Sequence, residues 1–129
     1  MPNKRRGYYT TKIGGKNRTM HFSMNFWSSF TEILGLPLER IGEIFEQGIS
    51  LSGIRALIYS GLLAYDQENN KEIDYNIYQV GSWLDDFPAD EINELVKVLL
   101  ESKILGNDLN VGIKRNVEKS TKDIKKVNQ

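Results

Sequence analysis

Near the start of the chain, apolar and polar residues alternate with the period of two that is typical of a β-strand. Strand-favouring residues occupy positions 8–13, and the sequence GGKN at 14–17 supplies the residues of a tight turn. After the turn, three apolar residues alternate with polar ones and so share one face: Met20, Phe22 and Met24. The pattern predicts a β-hairpin whose second strand carries an apolar face.

From Phe26 onward the apolar residues recur at helical spacing, with glycines, a proline and polar residues separating the segments. A first helix is expected to end at Gly35, and Pro37 opens a second that ends at Gly48. The apolar stripe of the first helix consists of Phe26, Trp27, Phe30, Ile33 and Leu34. A third helix, capped by Ser50 or Ser52, has Gly61 on its stripe, so we expect a neighbouring helix to approach closely there.

Two further helices follow a polar loop. Asp74 is a suitable N-cap for the fourth, and Pro88 opens a fifth that is expected to end at Gly106. Their apolar stripes are Ile77, Val80 and Leu84, then Ile92, Leu95, Val96 and Leu99. The chain is therefore predicted to be mainly α, a small domain of about five helices with an N-terminal β-hairpin.

Charge is distributed unevenly, although the formal net charge is zero. Positions 1–22 hold six basic and no acidic residues, 23–108 hold fifteen acidic and five basic, and 109–129 hold six basic and two acidic. The last segment has no aromatic residue and only a thin apolar row, too narrow to hold a helix by burial. We expect a basic arm at 1–7, a helical domain with its hairpin at 8–106 and a flexible, disordered basic tail at 107–129.

The sequence has few residues that would support catalysis or metal binding. There is no cysteine, and His21 is the only histidine, with no acidic residue near it in sequence. Asp85 and Asp86 are adjacent and would point about 100° apart on a helix, and the stretch 66–74 lacks the spacing of a calcium loop. The sequence GGKN is not a phosphate-binding loop. We expect a protein that is not an enzyme and has no cofactor or metal.

The basic arm is also compatible with nucleic-acid binding. Lys4, Arg5 and Arg6, with Tyr8 and Tyr9, could bind nucleic acid by charge and stacking, but the acidic body would repel phosphates. A small nucleic-acid-binding regulator is therefore the main rival interpretation. The chain shows no signal-peptide pattern and no apolar run that would span a bilayer, so a cytoplasmic protein is expected.

Three sequence segments follow one another in a characteristic order. A hairpin ending in RTMHFSMN leads into a helix of the type F-x-E-x-x-G, at Phe30–Gly35. The sequences LSGIRALIYSGLLAYDQ, at Leu51–Gln67, and VGSWLDDF, at Val80–Phe87, follow. In this order the chain resembles the tail assembly chaperones of long-tailed phages, prophages and gene transfer agents, over about residues 13–105.

The resemblance implies a non-enzymatic helper of the bacterial host cytoplasm, absent from the finished virion. Such proteins bind the long helical tape measure protein and help to recruit tail tube subunits, and self-association is compatible with this role. A structural tail-completion or connector protein is the third interpretation, and it would be found in purified particles.

A tape measure protein has long amphipathic helices, which a partner must cover reversibly. A groove between helices would serve that purpose. We expect the partner contacts to be aromatic residues just off the core stripes, with a place in the core as the alternative for each: Trp27, Tyr59, Trp83 and Phe87.

Overall fold

A computed structural model describes residues 7–101 in full, together with the backbone of 103–104 and 107–108. Two strands come first, and the helices follow with two short 3₁₀ turns among them. The elements are β1 (Tyr8–Ile13), β2 (Lys16–His21), α1 (Met24–Leu34), a 3₁₀ turn (Leu38–Arg40), α2 (Ile41–Gln47), α3 (Leu51–Glu68), α4 (Ile77–Trp83), a 3₁₀ turn (Leu84–Asp86), α5 (Ala89–Leu100), β3 (Lys103–Ile104) and β4 (Asn107–Asp108). The prediction of a mainly α fold with an N-terminal hairpin is confirmed.

The hairpin is antiparallel, with Tyr8 opposite His21 and Ile13 opposite Lys16. This register leaves a two-residue turn, in which Gly14 and Gly15 have φ angles of +64° and +84°. Tight hairpin turns that match the twist of the strands require positive φ, which glycine adopts without steric cost. Met24 does not extend the apolar face of the strand, because the chain is already helical there, and the side chain is 47% exposed.

The core of the domain is rich in aromatic rings. Phe26 contacts Phe22 edge-on at 5.0 Å, Trp27 edge-on at 4.8 Å and Phe30 in a stacked arrangement at 5.3 Å between ring centroids. These geometries are favourable for aromatic pairs. Ile33, in the last turn of α1, is 43% exposed. Helical spacing predicts which residues share one face of the helix, but it does not predict how much of that face the neighbouring elements cover.

The long helix α3 lies at the centre, and β2 and α1 both pack against it. Ser50 caps it by accepting a hydrogen bond from the Gly53 N–H at 3.0 Å, as one of the two predicted caps. Close approach does occur at Gly61, but the neighbour is the hairpin. A Cβ at that position would lie 3.0 Å from Cβ of Met20 on β2. The prediction that a helix would pack there is wrong.

Two helix ends also differ from their predictions. The cap of α4 is Asn76, which accepts hydrogen bonds from the N–H groups of residues 78 and 79, and the predicted cap Asp74 instead pairs with Arg18 at 3.4 Å. α5 ends at Leu100, because the backbone at 103–104 pairs with 107–108 and must be extended there. This pairing crosses the predicted domain boundary at 106/107. Of the predicted arm at 1–7, only Gly7 is described, and its carbonyl accepts a hydrogen bond from the Phe22 N–H at 2.8 Å. Residues 1–6 and the rest of the predicted flexible tail lie outside the described residues.

Candidate partner-binding groove

The four aromatic residues expected to contact a partner lie in three different places. Trp27 is 1% exposed and packs against Phe26 and Phe30. Its indole nitrogen is buried without a hydrogen-bond partner among the described residues. Trp27 therefore belongs to the core, which was the alternative interpretation for this residue, and its side chain is not available on the surface.

Trp83 lies under the hairpin turn. Its ring is close enough to Gly14 that a Cβ on that glycine would come within 2.6 Å of the indole. The Arg18 guanidinium lies 4.4 Å from the indole centroid on another side and donates a hydrogen bond to the carbonyl of Ile13 at 3.0 Å. A cation over an indole is attracted by the π system. Trp83 thus packs the hairpin turn against the end of α4.

Tyr59 belongs to the same aromatic group. Its ring meets that of Tyr75 edge-on at 6.1 Å, and Tyr75 in turn lies 5.9 Å from Trp83. The Tyr75 hydroxyl donates to Asp66 at 2.6 Å, and burial together with this carboxylate raises the pKa of Tyr75 well above its usual range. Tyr59 is half-buried on the rim of this group. Its ring contact therefore serves packing between α3 and the loop that precedes α4.

Phe87 lines a groove among the described residues. The groove has a volume of about 770 Å³ and lies between the first turns of α3, the length of α4, the 3₁₀ turn at 84–86 and the first turns of α5. Its apolar lining is Leu51, Ile54, Tyr78, Leu84, Phe87 and Ile92. Ser52, Ser82, Asp85 and Asn93 add polar groups. Mostly apolar concave surfaces with a few polar groups are typical of binding sites.

The two most exposed large apolar side chains in the described part of the chain are both on this groove. Leu51 is 85% exposed and Tyr78 is 72% exposed. Neither was predicted as a partner contact. No sequence signal separates Leu51 from the core: it stands three residues before Ile54 and seven before Ile58, so helical spacing places it on the stripe of α3.

Arg55 supplies the positive charge of the groove. Its stem crosses α4 at Gly81, where a Cβ would lie 3.0 Å from Cδ of the arginine. Its guanidinium lies 5.6 Å from the ring centroid of Tyr78. The ion pairs among described residues involve other cations: Lys16, Arg18, His21 and Arg40. The groove is therefore mostly apolar, and Arg55 is the cation among its lining residues.

His21 has an acidic neighbour in space that the sequence did not reveal. Its Nδ1 lies 2.6 Å from Glu68 at the end of α3, and its ring stacks on Tyr8 at 3.9 Å. Ser23 and Asn25 also donate to Glu68. Burial raises the pKa of Glu68, but these hydrogen bonds and His21 outweigh it and hold that pKa below its usual range. The cluster joins the start of α1 to the end of α3.

The described residues contain no group of three or more histidine or acidic side chains arranged to hold a metal ion. Within the same part of the chain, no helix combines the length and apolar character that crossing a membrane requires. No family model, curated protein or solved structure matches the chain.

Proposed function

We propose that this chain is a non-enzymatic tail assembly chaperone of a phage or prophage, which binds the tape measure protein and helps to recruit tail tube subunits. It would act in the cytoplasm of the bacterial host and be absent from the mature virion. Two things support the proposal: the resemblance carried by the RTMHFSMN, LSGIRALIYSGLLAYDQ and VGSWLDDF sequences, and the groove lined by Leu51, Tyr78 and Phe87.

The dimensions and chemistry of the groove suit an amphipathic helix. Such a helix is about 10–12 Å across and presents apolar side chains at positions i, i+3, i+4 and i+7. The groove offers it a mostly apolar lining with polar groups from Ser52 and Asn93. Seating a helix there would remove Leu51 and Tyr78 from water. Burial of one such side chain contributes about 1.5–3 kcal/mol, so capture also draws on the other apolar residues that line the groove.

The observation that carries the proposal is the position of the two most exposed large apolar side chains of the described residues on one groove. Single exposed apolar residues are common on protein surfaces, but a group of them on a concave surface is typical of an interaction site. Phe87 stays as a proposed contact, and Leu51 and Tyr78 join it. Trp27 and Trp83 have structural positions in the core and under the hairpin.

The chain offers a closely matched pair of variants for testing this. Leu51 and Met24 are each the first residue of a helix, each follows a serine N-cap, and each is exposed, but only Leu51 lines the groove. We would co-express the chain with the tape measure protein encoded in the same tail gene cluster. The soluble fraction of the tape measure protein is the quantity to measure, for wild type, Leu51→Gln and Met24→Gln.

We expect wild type and Met24→Gln to keep the tape measure protein soluble and to co-purify with it, while Leu51→Gln loses most of this effect. Equal solubility with all three would contradict the groove as the docking surface. A tape measure protein that stays insoluble with wild type would contradict the proposed function itself. So would a genome that has no tail tube gene and no long coiled-coil gene beside this one.

A further inference from the structure

Arg55 is a partly buried cation in a mostly apolar groove. Its aliphatic stem rests on α4 at Gly81, and its guanidinium is over the ring of Tyr78. Gly81 leaves room for this arrangement, because a Cβ there would lie 3.0 Å from the arginine Cδ. The stem is flexible, and its contact with α4 directs the charged end toward Tyr78.

The guanidinium lacks the partners that a cation in such a place normally has. Its Nε is buried and has no hydrogen-bond partner among the described residues, and no described carboxylate forms an ion pair with it. Asp85 lines the same groove but is exposed to water. Buried hydrogen-bond donors are almost always satisfied in native proteins. An arginine that lines a groove and has an unsatisfied Nε is a position for a ligand group.

We propose that the helix bound in this groove carries one carboxylate within its apolar stripe, and that Arg55 binds it. This inference rests on the proposed function and specifies which segment of the tape measure protein is recognised. Arginine donates two parallel hydrogen bonds to a carboxylate, and the pair is stronger where water is excluded. The Asp or Glu of the bound helix would sit above Tyr78, with apolar residues three or four positions away filling the places beside Leu51 and Phe87.

Two helix N-termini at the groove favour an anion at this point, and Asp85, the acidic residue of the lining, is exposed to water. The first residues of both α3 and α5 line it, through Leu51 and Ala89, and helix N-termini carry a partial positive charge. The carboxylate selects among helices, because an apolar stripe alone would fit many sequences. An acidic residue inside the stripe fixes which segment binds and in which register. A helix without it would leave the guanidinium covered and unpaired.

The test compares variants of Arg55 with those of an exposed arginine elsewhere. Arg55→Met keeps the length of the stem and removes the charge, and Arg55→Glu reverses it. Arg40, which pairs with Glu43 on the surface and does not line the groove, provides the control Arg40→Glu. Binding of each purified variant to the purified tape measure protein is measured at two salt concentrations. Thermal unfolding of each variant shows whether it is folded.

We expect Arg55→Met to weaken binding about tenfold and Arg55→Glu about a hundredfold or more, as losing or reversing one charge in a covered ion pair does. Arg40→Glu leaves binding unchanged. Changing the acidic residue of the bound segment to lysine should restore binding to Arg55→Glu. Binding of Arg55→Met and Arg55→Glu at wild-type strength would overturn the inference, and loss of binding in Leu51→Gln alone would still support the groove. If wild type does not bind, the proposed function fails and this inference with it.

Discussion

Replacing Trp83 by alanine tests whether this residue stabilises the fold or contacts a partner. The indole lies against the Gly14 turn, and the Arg18 guanidinium is 4.4 Å from its centroid. Removing it leaves a space beneath the hairpin and takes away the cation–π contact. The side chain of Arg18 is only 9% exposed, so that contact is largely shielded from water. We therefore expect Trp83→Ala to lower the free energy of unfolding rather than to affect binding alone.

The expected magnitude follows from the burial of the indole. Truncating a fully buried Phe or Trp to Ala costs about 3–5 kcal/mol. Trp83 is only partly covered, so about half of that cost applies, and the cation–π contact with Arg18 adds about 0.5–1 kcal/mol. The sum is a loss of about 2–3.5 kcal/mol. For a domain of this size, it corresponds to a drop in Tm of roughly 10 °C.

Urea unfolding followed by circular dichroism measures this loss, and Tyr78→Ala is the control. Tyr78 lies on the same helix but is 72% exposed, so its truncation should change the free energy of unfolding by less than about 0.5 kcal/mol. If Trp83→Ala unfolds at the wild-type urea concentration and yet fails to bind a partner, the reasoning is refuted. Trp83 would then be the surface contact that its sequence position had indicated.

Three smaller changes test the packing and electrostatics described above. Gly61→Ala should lower the free energy of unfolding by about 1 kcal/mol, because crowding against Met20 costs about 1–3 kcal/mol and the gain in helix propensity returns about 1 kcal/mol. Gly81→Ala should be neutral or stabilising by up to about 1 kcal/mol, since its neighbour is the flexible stem of Arg55. Glu68→Gln should reduce stability at pH 7 and have less effect at pH 3. The folded-state pKa of Glu68 is below its unfolded value, so its contribution is present above the usual carboxyl range and is lost as the pH falls.

Each of these has an outcome that would count against it. If Gly61→Ala and Gly81→Ala have the same free energy of unfolding in urea, Met20 of the hairpin accommodates an added methyl group as readily as the side chain of Arg55 does. A stability difference between Glu68→Gln and wild type that is the same at pH 3 and pH 7 would show that the charge on Glu68 plays no part. Glu46→Gln, on the exposed side of α2, serves as the control for the pH series.

Periodicity predicted the elements well because most of their stripes are buried. Phe26 and Phe30 of α1, and Leu95 and Leu99 of α5, lie in the core as their spacing indicates. What periodicity cannot supply is the identity of the element that covers each side chain. Trp83 lies beside the stripe of α4 in sequence, yet the turn of a hairpin about seventy residues earlier covers it.

The groove could not be predicted for the same reason. Its lining comes from α3, α4 and α5, and their relative placement depends on contacts far apart in sequence. Caps also depend on competition between neighbouring residues. Asp74 and Asn76 are both suitable caps, and Asn76 takes the position while Asp74 pairs with Lys16 and Arg18 of the hairpin. Leu51 has the spacing of the α3 stripe, and only the placement of the neighbouring elements leaves it exposed.

We propose that the groove lined by Leu51, Tyr78 and Phe87 binds an amphipathic helix of the tape measure protein. Isothermal titration of the purified tape measure protein with wild type and with the double variant Leu51→Gln/Tyr78→Gln is the decisive experiment. Both side chains are mostly exposed, so the double variant should unfold at the wild-type temperature. We expect saturable binding to wild type and a loss in affinity of about a hundredfold or more in the variant. Equal affinity for both proteins, or no binding to wild type, would contradict it.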